Sequence, residues 1–194
     1  MTSLDTARPS PQLGTTLIEV LVTMVILAFG MLGIAAFQAK SQVGSLESYQ
    51  RAQAIMLLED MQGRLRGNGT AAASYVTGDV LGTDDGQPED CDALATLALR
   101  DLCEWSNGLK GAAEVKSSVK IGAMTGARGC ITQIQAPDST TGVCRPGIYL
   151  IAIAWQGLHQ TIASEHLCGK DLYGIDTNRR VIAQRVAIGL PSCS

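Results

Sequence analysis

The chain has 194 residues, a formal net charge of −3, 46% hydrophobic residues and only 4% aromatic ones. Acids and bases are scattered, so neither a basic nucleic-acid footprint nor a base-stacking platform is supported, and no nucleic-acid partner is expected. Residues 67–194 alone are long enough for one compact domain with its own core.

Residues 1–13 are polar, with Asp5, Arg8, Pro9 and Pro11. Gly14-Thr15-Thr16 follows, and then an apolar run from Leu17 to Phe37 with Glu19 as its only charge. As a helix at ~1.5 Å per residue the run is about 31 Å long, enough to span a bilayer's ~30 Å hydrocarbon core. The ordinary readings are a secretory signal cut near Ala35 or Ala36, or a plain signal anchor. Glu19 argues against both, because a carboxylate in such a run is costly and functional by default. The helix dipole relieves part of that cost. A cation relieves the rest, and the natural one is an α-amine released by cutting after Gly14.

No proline interrupts Thr15 to Arg66. Beyond Phe37, Val43, Leu46, Gln50, Ala54, Leu57, Met61 and Leu65 recur every three or four residues, with Glu47, Arg51, Asp60 and Arg64 elsewhere around the cylinder. The pattern predicts one helix over about 15–66, stopped by Gly67-Asn68-Gly69. Residues 67–90 read as a loop. Asp84, Asp85, Glu89, Asp90 and Asp92 lack the EF-hand ligand spacing, so a solvated acidic loop is expected rather than a calcium site.

A short helix is predicted from Ala93 to Trp105, capped by Asp90 or Asp92, with Leu94, Leu97, Ala98, Asp101, Leu102 and Trp105 on one face. Glu114–Ile121, Gly129–Gln135, Gly147–Trp155 and Arg179–Ile188 read as strands. The fold class is therefore α+β: a long N-terminal helix packed on a head with a short helix and a four-stranded antiparallel sheet.

The stretch from Gly14 to Val22 resembles the class III signal of type IV prepilins and pseudopilins. In that family a prepilin peptidase cuts after the glycine, the new amine is methylated, and a glutamate at the fifth mature position guides packing into a helical filament. The resemblance makes Gly14 and Thr15 the cleavage site, Thr15 the methylated N-terminus and Glu19 the assembly carboxylate. Two features depart from the family: Thr15 stands where phenylalanine is usual, and Asp5 offsets Arg8 in the leader. Ile26 to Ala36 is similar to the same segment of the PilV-like minor pilins, as is Asp101-Leu102 followed by Trp105. Gly30 and Gly33, weak helix formers, would let neighbouring helices approach or the helix unwind on joining a filament.

The resemblance implies a pilin-like fold divided into leader 1–14, membrane and assembly helix 15–37, amphipathic continuation 38–66 and periplasmic head 67–194. It implies a minor pilin that helps to initiate type IV pilus assembly, held in the bacterial inner membrane and later at or near the pilus tip. The expected partners are the prepilin peptidase, other minor pilins, the major pilin and a tip adhesin. A type II secretion pseudopilin is the second reading. A membrane-anchored periplasmic enzyme or binding protein is the third.

Cys91, Cys103, Cys130, Cys144, Cys168 and Cys193 all follow residue 90, and their even number points to disulfides in an oxidising compartment. If the last three strands form a meander, Cys130 and Cys168 share one end of the sheet and Cys144 and Cys193 the other, which favours those two bridges. Cys91–Cys103 remains, about 18 Å apart if both lie on one helix at ~1.5 Å per residue. Either that helix starts near Thr96 with Cys91 folded back, or the pairing differs, as in Cys130–Cys144 with Cys168–Cys193.

Little else carries chemistry. His159 and His166 have no ligand spacing and read as surface residues. Arg179, Arg180 and Arg185 read as a solvated strand face. No P-loop, nucleophile elbow or dinucleotide fingerprint is present. No catalytic residue, metal or cofactor is expected.

Overall fold

The computed structural model describes residues 14–111, 115–116, 119–120 and 124–190. A helix, α1, runs from Leu17 to Gly67. The chain divides into two compact units between Gly44 and Ser45. In the first unit every described residue is exposed.

In the second unit α1 is amphipathic. Gln50, Ala54, Leu58, Met61 and Leu65 form its buried stripe, the one-face pattern of a 3.6-residue period. Val43 and Leu46, expected on that stripe, are exposed. The helix ends at Gly67, and the Asn68 N–H still donates to the Arg64 carbonyl at 3.1 Å.

The expected loop after α1 holds more structure than composition shows. A 3-10 segment spans Gly69–Tyr75, and Leu81–Gly82 forms a two-residue strand, β1. The second helix, α2, is Leu97–Leu109, displaced toward the C-terminus from the predicted 93–105. The Thr96 hydroxyl caps it by accepting from the Leu99 N–H at 3.2 Å, so neither Asp90 nor Asp92 serves as the cap. Leu94 consequently lies outside the helix and Leu97 is exposed, while Ala98, Leu102 and Trp105 are buried.

The main sheet is antiparallel, built from β1, β4 (Arg128–Gln135), β5 (Gly147–Gln156) and β6 (Arg179–Ile188) in that spatial order. It has four strands as predicted, but one member differs. The run predicted at 114–121 appears as β2 (Val115–Lys116) and β3 (Val119–Lys120), a separate two-stranded sheet, and residues 114, 117, 118 and 121 lie outside the described ones. β5 and β6 pair in register from Gly147↔Ile188 to Gln156↔Arg179.

Both faces of β5 are covered, and the residues alternate accordingly. Ile151, Ile153 and Trp155 join Met61, Leu65, Tyr75 and Trp105 in the main core. Ala152 and Ala154 join Cys168 and Tyr173 in a second cluster, with Cys130, Val181 and Ala183 against it. Small residues are needed on that face because the 157–178 segment folds onto it: a Cβ at Gly169 would sit 3.0 Å from the Ala154 Cβ. Gly129 meets the opposite demand. A Cβ there would lie 2.3 Å from the Trp105 ring. Trp105 also ties α2 to α1, its indole N–H donating to the Leu57 carbonyl at 2.9 Å.

Candidate assembly site

Gly14, Thr15 and Thr16 precede the first turn of α1, where the Glu19 and Val20 N–H groups donate to the Thr16 carbonyl at 3.0 and 3.3 Å. Glu19 therefore stands in the first turn, where the unpaired N–H groups of a helix start favour a carboxylate. Among the described residues it has no ion-pair partner. The polar Thr23 is neutralised locally, its hydroxyl donating to the Val20 carbonyl at 2.8 Å. Leu17, Ile18, Met24, Ile26, Phe29, Met31, Leu32 and Phe37 stand exposed around the cylinder. Among the described residues α1 is the one helix long and apolar enough to cross a membrane. The helix is continuous through Gly30 and Gly33, and a Cβ at either would meet nothing within 4 Å.

The head residues fall into three polar constellations. In the first, Arg64 reaches Asp60 at 2.9 Å, Asp101 at 3.0 Å and Glu104 at 2.5 Å, so one guanidinium joins α1 to α2. The Tyr75 hydroxyl donates to the other oxygen of Asp101 and accepts from Asn68 at 3.2 Å. Burial first, then the bond to Asp101, pushes the Tyr75 hydroxyl up to about 12.

In the second, Glu47 Oε1 gathers Arg180 at 3.1 Å, His159 at 3.0 Å and the Leu158 N–H at 3.1 Å. The third is built around Arg179, whose side chain is fully buried. It grips Asp176 through Nε at 2.6 Å and through a terminal nitrogen at 3.0 Å. It also donates to the carbonyls of Ser164, His166 and Cys168 at 2.9, 2.5 and 3.0 Å.

These contacts correct two expectations. Arg179, Arg180 and Arg185 are not one solvated face: Arg179 is buried, Arg180 is bound to Glu47 and Thr161, and only Arg185 is exposed. The acidic stretch is not uniformly solvated either. Asp85 is buried against Lys110 and accepts from Ser106 at 2.5 Å and from the N–H groups of Gly82 and Gln87 at 2.8 and 3.2 Å. Burial opposes its ionisation, but Lys110 and these donors outweigh burial and hold the carboxyl below the usual range. Asp84 pairs with Arg128 at 2.8 Å. Sequence periodicity alone gave no sign of either role. An arginine opening a strand after a long loop, and an aspartate three residues past a glycine turn, were the available signals.

Two disulfides are formed among the described residues, Cys91–Cys103 and Cys130–Cys168, each with Cα atoms 5.8 Å apart. The late start of α2 makes the first possible, because Cys91 folds back beside the helix. Cys144 is itself disulfide-bonded, and Cys193 lies outside the described residues. His159 and His166 are exposed. Among the described residues no three His, Cys, Asp or Glu side chains converge on a metal-sized site.

Residues 10–35 match the family model of the prokaryotic N-terminal methylation motif, a type IV prepilin-like signature. The match spans Gly14, Thr15, Glu19, Gly30 and Gly33. No characterised protein and no solved structure matches the chain. The motif supports a pilin or pseudopilin role, which is structural rather than enzymatic, with processing by a prepilin peptidase and assembly with other pilins. With the apolar helix behind it, the motif fits an inner-membrane anchor and incorporation into a pilus.

Proposed function

We propose that this chain is a minor pilin that takes part in initiating type IV pilus assembly, incorporated with other minor pilins at or near the tip. The observation that carries the reading is the methylation motif placed at the start of a 51-residue helix whose described residues up to Gly44 are all exposed. Residues 1–14 act as the leader, 15–37 as the membrane and assembly helix, 38–66 as its continuation into the head, and 67–194 as the periplasmic head. Cleavage after Gly14 frees the Thr15 amine for methylation. Glu19, held where the helix dipole already favours a carboxylate, then pairs with the Thr15 amine of a neighbouring subunit. Gly30 and Gly33 leave room for a neighbouring helix to approach closely. The similarity of residues 26–36 to PilV-like minor pilins supports the finer placement, with a tip adhesin above the complex.

Mass spectrometry of the mature N-terminus tests this directly. A chain beginning at Thr15, with the added mass of a methyl group, is expected. An uncut chain, or one cut near Ala36, overturns it. The same motif serves type II secretion pseudopilins. Genes for other minor pilins beside this one favour the pilus, and genes for secretion components favour the alternative.

A further inference from the structure

The two edges of the main sheet differ in how they are closed. β1 covers one edge with two residues, opposite Arg128 and Gly129. Beyond it the Thr77 N–H donates to the Ile131 carbonyl and the Ile131 N–H to the Thr77 hydroxyl, each at 3.0 Å. Farther along, the β4–β5 register shifts between Gln133 and Gln135. A short edge strand, a loop laid over the edge and a bulge are devices by which proteins keep an edge from recruiting another strand.

β6 has none of them. It is the last strand in the order, and no strand lies beyond it among the described residues. Its register with β5 is unbroken from Arg179 to Ile188. Val181–Ala187 holds no proline, glycine or lysine. Of the three arginines on β6, Arg179 is buried and Arg180 is engaged by Glu47, which leaves Arg185. Such an edge presents N–H and C=O groups in a row, about 23 Å long over Val181–Ala187 at ~3.3 Å per residue. Another extended backbone completes that row, because a strand supplies acceptors and donors at the same spacing.

Charge narrows the choice of strand. Gln184, Arg185 and Ala187 are exposed. The depression beside Ala187 and Ile188 is lined by Arg66 and by no acid. A second copy, paired antiparallel about Gln184, would set its own Arg185 diagonally beside the first on one face, and like charges so placed are destabilising. An acidic residue in the incoming strand meets the same arginine favourably.

We propose that the outer edge of β6 is the site at which an extended, acid-bearing segment of a different subunit adds to the four-stranded sheet as a fifth strand, its carboxylate set against Arg185. This rests on the reading of the chain as one pilin among others, and it names the surface that selects a neighbour.

The test places a photo-crosslinking phenylalanine analogue at Gln184, Arg185 or Ala187 of the full chain in its own cells. Adducts from the membrane and pilus fractions are mapped by mass spectrometry. One other protein is expected from all three positions. The residues joined should step along one of its segments in a constant direction as the analogue steps along β6, with Asp or Glu where Arg185 is faced. Arg185→Glu should lower the adduct from Ala187 roughly threefold to fivefold, as loss of one exposed ion pair does, and Arg185→Lys should keep it. Arg185 is exposed, and an unchanged urea midpoint checks that the variant keeps its fold. Adducts only between copies of this chain, adducts scattered without a register, a joined segment lacking an acid, or wild-type yield in Arg185→Glu each overturn the proposal. The same spectra read the N-terminus. A chain that begins at Thr15 but gives no stepped adduct overturns this inference alone, whereas an uncut chain overturns the pilin reading and this inference with it.

Discussion

The two parts of α1 are one helix with opposite relations to water. Up to Phe37 it is apolar around the cylinder but for Glu19, and every described residue up to Gly44 is exposed, while beyond Ser45 it carries a single stripe, Gln50 to Leu65, sunk into the head core. Helices in globular proteins owe most of their stability to packing of an amphipathic face, and only the second part has one. The first part places Gly30, Gly33 and many β-branched residues in a helix whose described residues are all exposed. Its environment must come from outside, as lipid or as other helices. Stability and function are therefore written into different residues, and substitutions should separate them.

The largest effect is expected deep in the head. Arg179→Ala removes the guanidinium that serves Asp176 and three loop carbonyls, leaving those groups without their donor beneath the 157–178 segment. Breaking a buried, hydrogen-bonded pair from one side costs about 3–5 kcal/mol. Urea unfolding of the full chain measures it, and a loss under about 1 kcal/mol would show that the second cluster and the Cys130–Cys168 bridge hold the segment unaided. Gly129→Ala should cost less, about 1–3 kcal/mol, since the added methyl overlaps the Trp105 ring and the core must shift to admit it. A change in the near-ultraviolet circular dichroism of the tryptophans should accompany it.

How much of this was legible depended on whether the signal was periodic. The uninterrupted helix, the strand Arg179–Ile188 with its ends, and the burial of Trp105 all follow from spacing that repeats over several turns or residue pairs. Apart from the Cys130–Cys168 bridge, which the strand order favoured, features made by contact between distant segments were not legible. Leu81–Gly82 becomes a strand only because Arg128 and Gly129 lie beside it, and two residues carry no period. α2 starts at Leu97, capped by the Thr96 hydroxyl rather than by the acidic residues before it, four residues later than the apolar pattern indicated and where the cysteine spacing offered an alternative start. Arg179 looked like any strand charge, and its burial is created by a loop that folds over it. The start of α1 was the most legible part, since Gly14, Glu19 and the apolar run form one contiguous motif.

The polar tie between α1 and α2 should appear in the alkaline limb of stability. Tyr75 is raised to about 12 in the fold, above its usual value of about 10. A raised pKa means the native state holds its proton longer than the unfolded chain does. The stabilisation is then fully present below pH ~10 and is lost as pH rises toward 12. Burial raises the Tyr173 hydroxyl too, so it adds to the same limb. Tyr75→Phe should cost about 1 kcal/mol at neutral pH through the lost hydrogen bond and flatten the fall between pH 10 and 12. An unchanged alkaline profile would remove Tyr75 from that tie.

The smallest effect on the head is expected from the residue with the largest expected effect on assembly. Glu19 lies in the first unit, is exposed and has no ion-pair partner among the described residues, so Glu19→Ala should leave the urea midpoint of the head within about 0.5 kcal/mol of wild type. Processing should also survive, because the cut at Gly14 lies five residues away and the apolar run is intact. What should change, on the proposed reading, is the pairing with a neighbour's Thr15 amine inside a low-dielectric bundle. Truncating one partner of such a pair costs about 2–5 kcal/mol, so incorporation into sheared pili should fall at least tenfold. A quantitative immunoblot of the pilus fraction, beside the membrane fraction from the same cells, reads both arms. If incorporation is normal while the protein is processed and abundant, packing of the apolar helix alone suffices and Glu19 has no part in assembly. If the head's midpoint also drops, the two parts of α1 are energetically coupled, and the separation drawn between them fails.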